Sequence, residues 1–419
     1  MDRIVVRGEA RLEGTVEASG SKNSALALMA SALLARGETR FENVPRLRDV
    51  EAMLEILRAL GARAGWDPED EHAVTIDAST IRSPEAPYDL VRKMRASFLV
   101  LGPLLARFGS ARVSEPGGCA IGVRPIDQHL KGLRALGGKI SLDHGYVEAT
   151  AARLSGSRVS FDMNTVNGTQ NVMMAATLAE GETVIENAAR EPEVLELAEV
   201  LMKMGAEIRG AGSDRILVTG VDELRGVRHR VSGDRIEAGT LLTAAIITAG
   251  DVRVTGVDPS HLESTLDKLR ECGAEIEAGP TSVRVKADGP PEALSVTTAP
   301  FPGFPTDMQA QLMAALCVGD GTSVVTERVF ENRFMHVPEL QRMGADITLS
   351  GRSAHVRGVR RLSGAQVMAT DLRASAGLVV AGLAAAGDTV VNRVYHIDRG
   401  YERIEAKLSA LGADIRREG

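Results

Sequence analysis

The residue with the clearest chemical potential is a cysteine in a glycine-rich stretch. Cys119 lies in Glu115-Pro-Gly-Gly-Cys-Ala-Ile-Gly-Val-Arg124, which has three glycines within six residues. Glycine lets the backbone turn sharply and approach a ligand closely. The neighbouring cations Arg112 and Arg124 favour the thiolate, the reactive form of cysteine. The segment therefore makes Cys119 a candidate for proton transfer or covalent chemistry, although a lone loop cysteine can also be chemically silent.

Cations recur where helices are predicted to begin. These are Lys22, Arg95, Arg124, Arg333, Arg373 and Arg399. A cation there opposes the helix dipole by a few tenths of a kcal/mol, so its repetition needs a reason. Pairing with neighbouring acids is one explanation. The other is an anionic ligand, because helix N-termini and guanidinium groups both bind phosphate and carboxylate. Asp234, Asp307 and Asp371 stand at other helix starts, where capping is the ordinary interpretation.

Composition and charge narrow the class of protein. The chain has 419 residues, of which 44% are hydrophobic and 25% charged, as in a globular protein of two or three domains. The net charge of -7 argues against nucleic acid as a partner. A phosphorylated ligand would need a local cluster of cations against this acidic background.

The sequence lacks the features that would indicate an oxidising compartment, a membrane-spanning segment or a bound cofactor. Three cysteines form no disulfide framework, which fits a reducing compartment. The N-terminus does not resemble a signal peptide, and Gly or charge interrupts each apolar run before it reaches membrane-spanning length. We therefore expect a cytoplasmic protein without membrane insertion. We expect no metal or other cofactor, because neither metal-ligand spacing nor a GxxxxGK[ST] phosphate loop is found.

A unit of sequence recurs six times. Its marker is an apolar residue followed by Gly-Ala or Gly-Gly, roughly 70 residues apart, at Leu60, Leu136, Met204, Cys272, Met343 and Leu411. An amphipathic helix precedes each marker, and the glycine is predicted to end it as a C-cap. A second helix, Ala-rich and apolar nearly all round, is predicted to be buried over residues 24–35, 97–108, 170–179, 239–248, 308–318 and 374–386. Each unit also carries short strands.

The repeats predict the domain organisation. The sixth unit lacks its final strand, and Arg3 to Arg7 form a spare strand that would complete it. We therefore predict an α/β protein with six pseudo-repeats, three in each of two domains. One domain comprises residues 1–21 plus 232–419, and the other comprises residues 22–231 and carries the Cys119 loop. The charged helix starts would then converge on a cleft between the domains.

The same repeats separate the cysteines. Cys272 occupies the position of Leu or Met in sister repeats, and Cys317 lies within a predicted buried helix. Both are predicted to be core residues, which leaves Cys119 as the candidate for chemistry.

Seven motifs resemble those of the enolpyruvyl transferases. In chain order they are Ser19 to Asn23, Met94 to Ser97, Pro116 to Pro125, Phe304 to Gln311, Phe330 to His336, Thr370 to Ser375 and His396 to Glu402. The resemblance covers essentially the whole chain. It implies the two-domain inside-out α/β barrel of the EPSP synthase-like fold, with one domain made from both chain ends.

The resemblance is to the branch of the family that acts on a sugar nucleotide. It implies transfer of the enolpyruvyl group of phosphoenolpyruvate to the 3-hydroxyl of UDP-N-acetylglucosamine, with release of phosphate. This is the first committed step of peptidoglycan precursor synthesis. Adding an alcohol across an enol requires one proton delivered to carbon and one removed from oxygen, and cations offset the charge of the intermediate.

The family's residue roles carry over position by position. Cys119 resembles the general acid and the site of fosfomycin-type inhibitors, and Asp307 resembles the base at the sugar hydroxyl. Lys22, Arg124 and Arg399 resemble the residues that hold phosphoenolpyruvate. Contacts to the sugar nucleotide are implied for Asn23, Arg95, Arg124, Pro125, Ile126, Asp127, Gln128, Asp307 and Val329. The helix starts add Arg333, Asp371 and Arg373 to the candidate binding set.

One segment departs from the family. Asn164 to Gly168 stands where many members have a longer segment that contains a lysine, and Leu99 stands where a tryptophan is usual. We expect backbone N–H groups at this helix start, with Thr165, Asn167 and Gly168, to contact the diphosphate instead.

The sequence leaves two rival functions. One is the shikimate-3-phosphate enolpyruvyl transferase of the same fold, which the Pro-Gly-Gly-Cys and Phe-Pro-Thr-Asp segments disfavour. The other is a sugar-nucleotide-binding regulator descended from the enzyme, which the presence of Lys22, Cys119 and Asp307 disfavours.

Overall fold

The computed structural model of the chain describes residues 2–81, 83–92, 94–116 and 126–419. The described residues divide into two compact units. The terminal unit contains residues 2–19 and 233–419, and the middle unit contains residues 20–116 and 126–232. The two crossings of the chain thus fall at residues 19–20 and 232–233.

The helices follow the predicted alternation of buried and outer elements. They are α1 (Lys22–Ser31), α2 (Arg48–Ala59), α3 (Tyr88–Val91), α4 (Leu101–Phe108), α5 (Asp127–Ala135), α6 (Val166–Ala176), α7 (Pro192–Met204), α8 (Arg235–Ile247), α9 (Glu263–Glu271), α10 (Gln309–Leu316), α11 (Val337–Arg342), α12 (Leu372–Leu383) and α13 (Ile404–Ala410). Short 3₁₀ turns cover Ala32–Leu34, Ala78–Thr80, Arg95–Val100, Pro259–Leu262, Thr306–Met308 and Val394–Arg399.

The strands are short, as the sequence predicts. The chain begins with β1 (Arg3–Arg7) and β2 (Glu13–Glu17). The middle unit holds β3 (Ala35–Arg36), β4 (Glu38–Glu42), β5 (Arg63–Trp66), β6 (Val74–Asp77), β7 (Glu85–Ala86), β8 (Ser110–Ser114), β9 (Lys139–Asp143), β10 (Tyr146–Thr150), β11 (Arg158–Ser160), β12 (Glu182–Glu186), β13 (Glu207–Arg209), β14 (Arg215–Thr219), β15 (Leu224–Arg225) and β16 (Arg228–Arg230). The terminal unit continues with β17 (Asp251–Thr255), β18 (Glu275–Ala278), β19 (Ser282–Lys286), β20 (Ser295–Thr297), β21 (Thr322–Thr326), β22 (Asp346–Ser350), β23 (Ser353–Arg357), β24 (Leu362–Ser363), β25 (Gln366–Met368), β26 (Ala385–Ala386), β27 (Asp388–Asn392) and β28 (Asp414–Glu418).

One sheet topology recurs in both units. Within the described residues, each unit has three four-stranded sheets in which one edge strand is parallel to its neighbour and the remaining pairs are antiparallel. The middle unit contains β16-β4-β6-β5, β7-β8-β10-β9 and β11-β12-β14-β13. The terminal unit contains β2-β17-β19-β18, β20-β21-β23-β22 and β25-β27-β1-β28. Six sheets of one pattern match the six predicted repeats.

The first strand completes the last repeat. β1 lies between β27 and β28 and is antiparallel to both, with Val5 opposite Val390 and Arg416. Arg3–Arg7 therefore forms an inner strand of the sheet that also contains β27 and β28. The strands nearest the crossings act similarly, since β2 and β16 are the parallel edges of the first sheets of their units.

The repeated glycines end the outer helices as predicted. All six marker glycines adopt positive φ angles: Gly61 (97°), Gly137 (91°), Gly205 (114°), Gly273 (90°), Gly344 (91°) and Gly412 (99°). A side chain is strained in this conformation, so glycine is the residue that turns the chain from helix to strand.

The Ala-rich helices form the centre of each unit. In the terminal unit α8, α10 and α12 pack against one another, and almost every residue in them is buried. In the middle unit α1 and α6 are equally buried. No described helix has both the length and the apolar character needed to cross a membrane.

One predicted helix is divided. Residues 97–108 form the end of the 3₁₀ turn Arg95–Val100 and then α4 (Leu101–Phe108). Pro103 explains the difference, because it lacks the N–H that a continuous α-helix would donate to the carbonyl of Leu99. The α-helix therefore begins two residues before the proline, where the missing donor has no cost.

Candidate active site

The terminal unit places a carboxylate between two buried guanidinium groups. Asp307 lies in the 3₁₀ turn that leads into α10. Its Oδ1 is 2.8 Å from Nη2 of Arg333, and its Oδ2 accepts a 3.0 Å hydrogen bond from Nε of Arg373. We call these three residues the Asp307 cluster. The N-cap interpretation of Asp307 is wrong, because no side-chain cap is made here and the carboxylate binds cations instead.

The two other aspartates cap helices as predicted. Asp234 accepts hydrogen bonds from the backbone N–H groups of Ile236 and Glu237 at the start of α8. Asp371 accepts hydrogen bonds from the N–H groups of Arg373 and Ala374 at the start of α12. Asp371 thus fixes the backbone that carries Arg373, whichever further role it has.

The electrostatics of Arg373 show that three helix starts lie together. Burial disfavours its charged form, yet the nearby Tyr401, Asp307 and Asp234 outweigh burial and raise the pKa of Arg373. Neither Nη1 nor Nη2 meets hydrogen-bond geometry with a partner among the described residues, although the Tyr401 ring is 5.3 Å from the guanidinium carbon. The starts of α8, α10 and α12 therefore surround one buried cation.

Two histidines border this region in their neutral forms. Burial lowers the pKa of His336 to about 4, while the Asp371 carboxylate opposes this shift and Arg333 reinforces it. Burial and then the charge of Arg399 lower the pKa of His396. Arg399 ends the 3₁₀ turn Val394–Arg399 and is half-buried. The candidate residues Arg333, Asp371 and Arg399 therefore lie in one electrostatic neighbourhood.

The backbone N–H of Val329 already has a hydrogen-bond partner. Its N–H donates a 2.7 Å hydrogen bond to Oε1 of Glu327. The predicted sugar-nucleotide contact of Val329 must therefore use its carbonyl oxygen, unless Glu327 releases the N–H.

In the middle unit, the predicted anion-binding lysine has an acidic neighbour. Lys22 is the first residue of α1, and its Nζ lies 3.3 Å from Oδ2 of Asp49 near the start of α2. Both side chains are at most 10% exposed. Asp49 provides the pairing that offsets a cation at a helix start. Asn23 follows Lys22 and is half-buried.

A second group of candidates surrounds His129 on α5. Burial lowers the pKa of His129 to about 3; Arg95 acts in the same direction and Asp127 against it. Arg95 and Asp127 therefore lie near the same imidazole. The side-chain amide of Gln128 donates to carboxylate oxygens of Asp127 at 2.8 Å and Asp162 at 3.1 Å. Half-buried Ile126 stands directly before α5.

The segment that departs from the family begins α6. The Thr165 hydroxyl caps the helix by accepting a 3.2 Å hydrogen bond from the N–H of Gly168. Asn167 lies in the first turn and is half-buried. Helix α6 packs against α5 and the turn that carries Arg95. The predicted diphosphate contact stays a prediction. Thr165 also has a structural role, because its hydroxyl caps α6.

Three predicted site residues, Cys119, Arg124 and Pro125, lie outside the described residues. The other cysteines are core residues, as predicted: Cys272 and Cys317 are 3% and 0% exposed. Burial raises the pKa of each thiol to about 12. Both are therefore unreactive thiols at neutral pH.

Several residues that complete the site were not among the candidates predicted from the sequence. Asp49, Glu327 and Thr306 contact the predicted residues directly or through one hydrogen bond. Acidic or hydroxyl residues near a basic motif were the available signal, but such residues are common on any protein surface. Together, the Asp307 cluster supplies a carboxylate that can accept a proton and guanidinium donors that can bind an anion.

This six-repeat α/β architecture with basic and acidic helix starts is that of the enolpyruvyl transferases. A family model described as EPSP synthase (3-phosphoshikimate 1-carboxyvinyltransferase) matches residues 6–408. The chain belongs to this family.

Curated relatives cover the whole chain. A protein of Myxococcus xanthus named UDP-N-acetylglucosamine 1-carboxyvinyltransferase is 61% identical over 100% of both chains. A protein of the same name from Trichlorobacter lovleyi is 56% identical over 100% of this chain and 99% of the relative.

Solved structures share the fold. The enolpyruvyl transferase NikO from Streptomyces tendae is 28% identical, with a TM-score of 0.89 over 99% of this chain and 98% of that one. An EPSP synthase from Acinetobacter baumannii, 18% identical, superposes with a TM-score of 0.77 over 100% of both chains, which supports the fold alone.

Proposed function

We propose that this chain transfers the enolpyruvyl group of phosphoenolpyruvate to the 3-hydroxyl of UDP-N-acetylglucosamine and releases phosphate. The observation that carries the proposal is the 61% identity, over the whole of both chains, with the Myxococcus xanthus protein named for this activity. The reaction would begin peptidoglycan precursor synthesis in the bacterial cytoplasm.

The first half of the reaction is an addition. The 3-hydroxyl oxygen bonds to C2 of phosphoenolpyruvate, its proton leaves, and another proton reaches C3 to make a methyl group. We assign Asp307 as the base. Its side chain is 28% exposed although both of its arginine partners are almost fully buried. This leaves part of the carboxylate accessible to an acceptor hydroxyl.

The second half is an elimination. The tetrahedral intermediate loses a proton from its new methyl group, and the C2–O bond to phosphate breaks to leave the enolpyruvyl ether and inorganic phosphate. We assign Cys119 to proton transfer at C3, and Lys22, Arg124 and Arg399 to the phosphate and carboxylate groups. These four assignments rest on the family resemblance.

The proposal is tested by phosphate release. Purified protein with phosphoenolpyruvate is expected to release phosphate only when UDP-N-acetylglucosamine is added, and treatment with EDTA should not change the rate. Shikimate 3-phosphate serves as the competing acceptor. Equal or faster turnover with shikimate 3-phosphate would overturn the proposed acceptor.

In the same assay, a higher KM for the sugar nucleotide in Asn167→Ala would support the α6 contact, and an unchanged KM would refute it.

A fosfomycin-type epoxide phosphonate is expected to inactivate the protein by alkylating Cys119. The thiols of Cys272 and Cys317 are internal controls, because each is buried and has its pKa raised to about 12. Peptide mass mapping after incubation at pH 7.5 should find the adduct on Cys119 alone. Adduct on Cys272 or Cys317 at comparable occupancy would contradict the assignment.

A further inference from the structure

Glu327 is a buried carboxylate held by hydrogen bonds rather than by a cation. It is 1% exposed, and no ion pair among the described residues includes it. Its Oε1 accepts hydrogen bonds from the Thr298 hydroxyl at 2.7 Å and from the N–H groups of Val329 and Phe330 at 2.7 and 3.1 Å. Its Oε2 accepts a 2.8 Å hydrogen bond from the Thr306 hydroxyl. Burying a charged carboxylate without a cation costs free energy, so the presence of Glu327 at this position requires an explanation.

The Thr306 hydroxyl connects this carboxylate to the Asp307 cluster. A threonine has one O–H donor, and an ionised carboxylate can only accept, so Glu327 fixes the direction of the Thr306 O–H. The free lone pairs of that oxygen then face Arg333, whose Nη1 donates to it at 3.1 Å. Nη2 of the same guanidinium lies 2.8 Å from Oδ1 of Asp307. A single ordered path thus runs from Glu327 to the assigned base.

Glu327 also restrains Arg333 from a second side. By binding the N–H groups of Val329 and Phe330, it fixes the chain that follows β21. The Phe330 ring lies 5.4 Å from the guanidinium carbon of Arg333, within cation–π range. Two independent contacts of Arg333 therefore depend on one buried carboxylate.

We propose that Glu327 is a positioning residue that orients Asp307 for proton abstraction, acting through Thr306 and Arg333. The proposal rests on the proposed function, since Asp307 is the base only if an acceptor hydroxyl is activated here. A neutral glutamine would fill the same space but reverse one bond. Its amide N–H₂ would donate to Thr306, whose O–H would then point at the guanidinium and repel it.

The test is the kinetics of Glu327→Gln with its matched control Glu339→Gln. Glu339 is also a nearly buried glutamate of the terminal unit, and its Oε2 accepts a 3.0 Å hydrogen bond from the N–H of Met368. We expect Glu327→Gln to lower kcat by about 10- to 100-fold, the size of effect that misplacing a reacting group by an ångström produces. The KM for phosphoenolpyruvate should change less than about twofold, and Glu339→Gln should keep the wild-type kcat.

A second set of variants covers the case in which Glu327→Gln does not fold. Thr306→Val should reproduce the loss of kcat, whereas Thr306→Ser, which keeps the hydroxyl, should restore most of it. Combined with Asp307→Asn, Glu327→Gln or Thr306→Val should add little further loss, because both act through the same carboxylate.

Three results would overturn the proposal: a wild-type kcat in Glu327→Gln, an equal loss in Glu339→Gln, or full additivity with Asp307→Asn. Failure of the proposed function is distinguishable from these. In that case the wild-type protein itself would release no phosphate with UDP-N-acetylglucosamine, before any variant is compared.

Discussion

Replacing Asp307 with asparagine is expected to reduce kcat for phosphate release by about a thousandfold, within the range of 10²–10⁴ that a general base contributes. Asparagine keeps the shape of the side chain and one acceptor oxygen, but it cannot take the proton of the acceptor hydroxyl. It also removes the negative charge from between Arg333 and Arg373, which are 6% and 2% exposed. Calorimetric titration should show that the variant still binds UDP-N-acetylglucosamine.

Asp251→Asn is the matched control for this variant. Asp251 is also an aspartate of the terminal unit held by an arginine, with hydrogen bonds of 2.7 and 2.6 Å from Arg284. It follows the C-terminal end of α8, whose 13 residues span about 20 Å, so it lies far from the helix starts around Arg373. The kcat of Asp251→Asn should equal that of the wild type. A loss below about tenfold in Asp307→Asn would show that another group removes the proton.

Replacing Lys407 with methionine is expected to destabilise the terminal unit by about 3–5 kcal/mol, as when one partner of a buried ion pair is removed. The Lys407 Nζ lies 2.8 Å from Oε2 of Glu237 and donates a 2.7 Å hydrogen bond to the Ser19 hydroxyl. Glu237 is only 2% exposed, so the variant leaves a carboxylate buried without its cation.

The size of this deficit should depend on pH. Burial raises the pKa of Glu237, and the charge of Lys407 opposes that shift, so removing Lys407 raises the pKa further. A carboxyl group with a raised pKa binds its proton in the folded state at pH values where the unfolded state has lost it. Stability therefore falls as pH rises through this window, and the deficit should be larger at pH 8 than at pH 5.5.

Hydrogen exchange of α8 peptides measures this opening free energy locally, which suits a chain of two units. Adding Glu237→Gln to Lys407→Met should recover much of the loss, because the amide carbonyl still accepts the N–H of Ser19 without a charge. Lys286→Met removes a half-buried lysine paired with Asp288 and should leave α8 exchange unchanged. Equal protection in Lys407→Met and wild type at pH 8 would refute the prediction.

Much of the fold could be predicted from the sequence because its signals are local. A glycine that ends a helix, an apolar face and an alternating strand are each encoded within about a dozen residues. Because the unit recurs six times, an error in predicting one copy can be recognised from the other five. The marker glycine has a positive φ angle in all six copies. The strand Arg3–Arg7 could be assigned to the sixth repeat by comparison with the other repeats, because the sixth repeat lacked one strand.

The candidate site could be predicted only as a set of residues. The family resemblance selected Asp307 and the predicted helix starts selected Arg333 and Arg373, but no sequence feature indicated that one carboxylate binds both guanidinium groups. Capping was the ordinary interpretation of Asp307, and it was wrong because the carboxylate makes no cap and instead contacts Arg333 and Arg373. Glu327 carried only a weak signal, because a glutamate near a basic motif is common and its burial is not visible in the sequence.

The sequence by itself determined the elements, their order and the family, while the tertiary structure decided which charges meet. Lys22 and Asp49 are 27 residues apart, Asp307 and Arg373 are 66 apart, and Lys407 and Glu237 are 170 apart. An ion pair requires its atoms within about 4 Å, a distance fixed by how buried helices pack. Periodicity places a residue on a face of its own helix, but only the packing of α8, α10 and α12 brings their charged starts together.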